Sequence, residues 1–288
     1  MKKLFRTIYI LPVLLFLTLG LNGCGGGGGG GSTTPTTSQG KFIDAPAEGI
    51  TYTSGSTTGE TTADGTFTYE TGKTVTFSIG GVILGTASGR SIITPVQLVS
   101  GAADETDSTV VNIVQFLLTI DDNDDASDGI QISAAIRTAA AGITLDFTSA
   151  TFDSDKSVTD ALVALTTAST FGLRGLVSES FSMSHLRNSL FSIFAGKYSG
   201  TFSGTDSGTW IVDIASNGVV TGSGSGTGGA FGVTGNVKTS GSLTASGGAG
   251  TSNWTGSIDL GSGNFNGNWI VPGSGVPAEG GTFTGSKI

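Results

Sequence analysis

Hydrophobic and polar positions alternate with a period of two over much of this chain. In "TTADGTFTYE", Asp64-Gly65 marks a turn, and Phe67 and Tyr69 follow on one face. In "KTVTFSIGGVILG", Val75, Phe77 and Ile79 alternate with polar residues. The run breaks at Gly80-Gly81 and resumes at Val82, Ile83 and Leu84. Period two is the strand signature, because successive side chains point to opposite faces. "KFIDAPAEGITYTS" adds two short strands around a Pro/Gly turn. About five strands at this spacing predict a small β-sandwich over residues 41–92.

Between residues 93 and 196 the period lengthens and helices are expected. Thr94-Pro95 is a cap followed by proline at the first helical position. Asp107 to Ile120, "DSTVVNIVQFLLTI", is apolar on nearly every face and reads as a buried helix. "SAAIRTAAAG" predicts a short helix closed near Gly142. Ser157 and Asp160 in "SVTDALVAL" fit a capping box with aspartate in place of glutamate. "SESFSMSHLRNSLFSIF" places Met183, Leu186, Leu190 and Phe194 on one stripe. These helices are expected to cover one face of the preceding strands.

The strand rhythm returns in residues 197–288, where 24 of 92 residues are glycine. That composition alone would suit disorder, yet eight alternating segments run from "KYSGTFS" to "GGTFTGSK". Trp210, Val212 and Ile214 share a face; so do Phe231, Val233 and Val237, and so do Trp254, Gly256 and Ile258. The first and last segments nearly repeat, Gly200-Thr201-Phe202-Ser203-Gly204 against Gly281-Thr282-Phe283-Thr284-Gly285. Matching ends predict an eight-stranded antiparallel sheet closed into a barrel, which removes both edges. The opposite face is Ser, Thr, Asn and Gly, unlike the apolar band of a membrane-spanning barrel. The expected fold class is therefore mainly β with a helical middle: a small β-sandwich plus helices, then a Gly-rich barrel.

The amino end carries an address. Met1 to Arg6 is a short basic region, Ile8 to Leu19 is apolar, and "GLNGC" follows. This is the order of a secretory signal over residues 1–23, with an apolar run too short for a spanning helix. Leu21-Asn22-Gly23-Cys24 resembles a bacterial lipobox. The resemblance implies cleavage before Cys24 and acylation of that residue, the only cysteine in the chain; the alternative is an ordinary signal peptide with a stray cysteine. Gly25, in place of an inner-membrane aspartate, implies an outer-membrane lipoprotein, periplasmic or surface-exposed. Two or more acyl chains hold a protein stably on a bilayer. Residues 24–40 then read as the lipidated cysteine and a Gly/Ser/Thr tether, with a reach of roughly 20–24 Å as a flexible coil.

Two more resemblances concern the body. Thr62 to Tyr69 is similar to the strand pair of carboxypeptidase-regulatory-like and related Ig-like modules, which implies a scaffold. Residues 197–288 resemble the Gly/Thr-rich barrels of Gram-negative surface lipoproteins of the transferrin-binding and complement-factor-binding kinds. In addition, "VVNIVQFLLTIDDNDDASDGIQIS" is similar to a segment of bacterial lipoproteins of unassigned function.

Charge narrows the partners. Loss of Lys2, Lys3 and Arg6 with the signal leaves ten basic against 22 acidic residues, a formal charge of −12. An acidic chain without a basic run is unsuited to nucleic acid. Attachment to a membrane has to come from acyl chains on Cys24.

The sharpest polar cluster runs from Asp121 to Gly129. Asp121, Asn123 and Asp125 stand at positions 1, 3 and 5 of a loop, the spacing that converges oxygens on calcium, with Asp128 as a further ligand. Ala126 and Ile132 replace the glycine and glutamate of an EF-hand, so the expectation is a looser calcium loop or else a solvated acidic turn. His185 is the only histidine, and no nucleophile elbow or P-loop accompanies it. No catalytic residue is assigned and no enzyme is expected. The expected function is a tethered envelope lipoprotein that binds a protein, glycan or matrix partner. The alternative is a carrier enclosing a small apolar ligand in the barrel, unless Trp210, Phe231, Trp254 and Trp269 fill it. A hydrolase is the third reading.

Overall fold

The computed structural model describes residues 35–248, 252–273 and 279–288. The signal, Cys24 and the tether before Pro35 lie outside these residues.

Eight strands come first: β1 (Thr37–Phe42), β2 (Ala47–Glu48), β3 (Thr51–Ser54), β4 (Thr57–Glu60), β5 (Thr66–Glu70), β6 (Thr74–Ile79), β7 (Val82–Ser88) and β8 (Ile92–Ile93). They form a three-stranded sheet in the order β5-β1-β8 and a four-stranded sheet in the order β4-β3-β6-β7. Alternate positions are buried, Val75, Phe77 and Ile79 on β6 and Val82 and Leu84 on β7. The sheets meet through aromatic rings: Phe42 and Phe77 lie 4.9 Å apart, Phe67 and Phe77 5.1 Å. Strand β1 starts at Thr37, so the last residues assigned to the tether are structured. Gln39 and Gly40 pair with Thr68 and Phe67. Backbone pairing, which is blind to the polarity of "TSQG", overrides the low-complexity composition there.

Helices α1 (Pro95–Leu98), α2 (Ser108–Thr119), α3 (Ala134–Ala139), α4 (Lys156–Ala168) and α5 (Glu179–Phe194) follow, with strand β9 (Ile130–Gln131) between α2 and α3. Strand β9 pairs in parallel with β2, so the helical stretch also contributes to the strand region. Helix α2 is capped by Asp107, whose carboxylate accepts from the N–H groups of Thr109 and Val110, and it is buried from Val110 to Thr119. Helix α4 departs from expectation. Its cap is Asp155, which accepts from the Ser157 N–H, while Asp160 pairs with Lys156 at 2.6 Å. The Ser157/Asp160 box therefore lies two residues inside the helix: Asp155 offers its carboxylate to the exposed N–H groups. On α5 the buried stripe is Ser182, Leu186, Leu190 and Phe194, with Met183 only half-buried. Strands and helices share one apolar core.

The remaining strands are β10 (Gly196–Gly204), β11 (Gly208–Ile214), β12 (Val219–Gly226), β13 (Gly229–Val237), β14 (Ser242–Gly247), β15 (Ser252–Ile258), β16 (Asn264–Ile270) and β17 (Gly280–Lys287). All eight close into an antiparallel barrel, β17 pairing back onto β10. Large rings enter the barrel over inward-facing glycines of neighbouring strands. A side chain at Gly267 would meet the Phe283 ring at 2.6 Å. The high glycine content is thus a packing requirement of an aromatic core.

Candidate functional site

The acidic loop begins where α2 ends. Asp121 is buried, and its Oδ1 accepts from the Gln131 N–H at 2.8 Å. Burial pushes its carboxyl up, partly offset by that hydrogen bond. Asn123 donates from Nδ2 to Asp128 at 3.0 Å and accepts from the Asp125 N–H. Asp125 accepts from the Ser127 hydroxyl at 2.5 Å and from its N–H, which holds it below the usual carboxylate range. These are turn-forming bonds of the loop to itself.

A cation does sit at this loop, and it is Arg174. Its guanidinium donates to the carbonyls of Thr119 and Asp121 and pairs with Asp124 at 3.4 Å. Asp124 itself holds a left-handed φ of +60°. Of the four expected calcium ligands, Asn123 is bonded to the Asp128 carboxylate and to the Asp125 N–H, and only the first of these joins two side chains. Among the described residues, no three carboxylate, imidazole or thiolate groups meet as a metal-binding cluster. The spacing signal was real as turn chemistry; Arg174, about fifty residues away in sequence, could not be paired with it from pattern alone.

The barrel interior is filled. Phe202, Trp210, Trp254, Trp269 and Phe283 are all buried, and the void among the inward side chains measures about 20 Å³. That volume is about one water. The three indoles satisfy their N–H groups on Thr201 O, Ser252 Oγ and Ser203 O. The rings that would have bounded a hollow carrier therefore occupy its space.

The two barrel ends differ. At one, α5 inserts Phe194 into the barrel core, and the Tyr198 hydroxyl donates to the Phe194 carbonyl at 2.9 Å. Glu105, buried, accepts from Arg187 of α5 at 2.7 Å and from Thr239 of the β13–β14 loop at 2.6 Å. Arg90 pairs with Asp259 at 2.9 Å, and Ser91 donates to the Gly261 carbonyl. This end is covered by the rest of the chain.

The other end carries a cup of about 580 Å³. Its floor is aromatic. Phe202 stands edge-to-face with Phe231, Trp254 and Trp269 at 5.8, 5.5 and 5.9 Å, and Phe231 is the half-buried ring among them. Its rim includes Thr205, Asp206, Thr227, Ser252 and Glu279. Asp206 ties two hairpins together by accepting from the Thr227 hydroxyl at 2.7 Å, the Thr227 N–H at 3.1 Å and the Ser207 N–H at 2.7 Å. The Thr227 bonds, chiefly, hold its carboxyl below the ordinary range. Alternation identifies the rings of this cup in the sequence; its rim lies in turns, where Asp, Ser, Thr and Gly serve equally as turn formers.

Cys24 lies outside the described residues. His185 lies against Asp44, far in sequence. No protein-family model and no curated protein matches the chain.

Proposed function

We propose that the chain is an envelope lipoprotein, held to the outer membrane by acyl chains on Cys24, whose barrel binds a glycan at the end opposite α5 without catalysis. The observation that carries this reading is the cup. One barrel end is covered by α5 and the 90–105 segments, and the opposite end presents aromatic rings under a rim of hydroxyls and carboxylates. Sugar rings offer C–H faces to aromatic carbons and hydroxyls to such a rim. A concave site with an apolar floor and a few placed polar groups is the usual form of a small-ligand site. A protein partner would need about 800 Å² of contact on each side, more than a cup of this size offers.

Two of the three tryptophans line the cup, so intrinsic fluorescence reports occupancy. Titration of the full chain with a panel of neutral and acetylated oligosaccharides is expected to give saturable quenching with at least one member. Gly228→Trp, at a rim position where an added side chain meets nothing within 4 Å, is expected to block it while leaving the melting temperature in place. Absence of quenching across the panel, or quenching untouched by Gly228→Trp, overturns the reading.

A further inference from the structure

Asp44 is wholly buried, and among the described residues neither of its carboxylate oxygens has a hydrogen-bond partner. It sits in the tight turn between β1 and β2 that the Ile43–Pro46 bridge closes. The next residue, Ala45, has a φ of +59°, a left-handed backbone that a side chain makes costly. Helix α5 braces this turn. The Ala45 N–H donates to Ser189 Oγ at 3.1 Å. One helical turn earlier, His185 brings Nε2 to 3.2 Å from the Asp44 carbonyl oxygen and 3.6 Å from Asp44 Oδ1. The imidazole is largely buried and lies beside the Phe181 ring.

Among the described residues, no other charge serves Asp44. On β1, Lys41 is committed to Asp64 at 2.9 Å. On α5, Arg187 is committed to Glu105. Beside β9, which bonds Pro46, Asp128 accepts from Asn123. An isolated buried carboxylate is costly unless it is neutralised. Among the described residues, the one titratable group within reach is His185, the only histidine in the chain.

We propose that Asp44 and His185 share one proton and form a pH-dependent latch that fastens α5 to the β1–β2 turn. With one proton the pair is net neutral, which suits a buried site. With none, a carboxylate stays buried without a countercharge and the turn is pushed from the helix. With two, an imidazolium is buried.

Burial pushes Asp44 up to about 8 from 3.8 and lowers His185 from 6.5, against a small opposing pull from the Asp44 carbonyl. The raised aspartate contributes stability that is full below pH 3.8 and is lost as pH rises to about 8. The lowered histidine contributes stability that is full above pH 6.5 and falls below it. Under pH 6.5 the two trends offset each other. From pH 6.5 to about 8 only the aspartate changes, and the folding constant falls by up to about tenfold per pH unit. The latch closes in mild acid and loosens toward alkaline pH. Helix α5 also bears Arg187 on Glu105 and ends with Phe194 in the barrel, so the loosened element is the one joining both parts.

The test uses the full chain. Melting temperatures across this pH range are expected to fall toward pH 8 for wild type and to stay level for Asp44→Asn, which then exceeds wild type at pH 8. In wild type, the Asp44 carboxyl carbon is expected by ¹³C NMR to be protonated at pH 6.5 and to titrate near pH 8, and the Ala45 amide is expected to exchange faster as it does. An ionised Asp44 at pH 6.5, or a fall that persists in Asp44→Asn, overturns the proposal. Should Asp44→Asn fail to fold, the wild-type carbon titration decides by itself.

Discussion

Phe202 and Phe283 stand opposite each other across the β10–β17 seam that closes the barrel. The same register sets Thr201 against Thr284 and Gly200 against Gly285, so the two near-identical segments pair with each other end to end. The bare pair Gly200 and Gly285 leaves the space that the Trp210 ring enters.

A side chain in that space is expected to open the barrel. Gly285→Val would drive its Cβ into Trp210 and the Ser199 carbonyl. Overpacking of this kind costs about 1–3 kcal/mol or more. Gly232→Ala, where nothing lies within 4 Å, is the control, expected within about 0.5 kcal/mol of wild type. Chemical denaturation of the two variants checks the difference, and equal stabilities would mean that the seam is not tightly packed.

At the acidic loop, Arg174 is expected to carry what calcium was expected to carry. Arg174→Ala removes donors from two carbonyls at the end of α2 and leaves Asp124 without its cation. The expected loss is about 2–4 kcal/mol, and Arg174→Lys recovers only part, since an ammonium lacks the planar fork. Millimolar calcium is expected to leave the wild-type melting temperature unchanged. A rise that Asp121→Ala with Asp125→Ala erases would restore the metal reading.

Much of the fold is legible in the sequence because its signals are local. The alternation of Trp210, Val212 and Ile214 gives a strand, and the repeat at Gly200 and Gly281 gives closure. What alternation does not give is the partner of a polar group. Asp121 meets Arg174, Glu105 meets Arg187 and Thr239, and Asp44 meets His185, each across a long stretch of chain. Such pairs are set by how helices lie on sheets. The start of β1 was hidden for the same reason: "TSQG" is ordered by its neighbour β5 and not by its own composition.

The anchoring reading has a direct check. Cys24 is the only thiol, so Cys24→Ser is expected to abolish palmitate labelling and to move the protein from membranes to the soluble fraction. Labelling that survives the substitution would remove the lipid anchor from the proposed function.

Tyr198 gives the barrel base its own pH limit. The residue is buried, its hydroxyl donates to the Phe194 carbonyl at 2.9 Å, and burial pushes its phenol up to about 12. In the unfolded chain a tyrosine titrates near pH 10. The folded value is the higher one, so the stabilising contribution is intact below about pH 10 and is lost as pH rises toward about 12. Tyr198→Phe removes this alkaline loss. It also strips the Phe194 carbonyl of its donor, at a cost of about 1 kcal/mol near neutral pH. The two melting curves are therefore expected to converge above pH 10, with wild type more stable below it. A constant offset between them across the whole range would mean that Tyr198 ionises as readily as an exposed phenol and that α5 does not seal the barrel base.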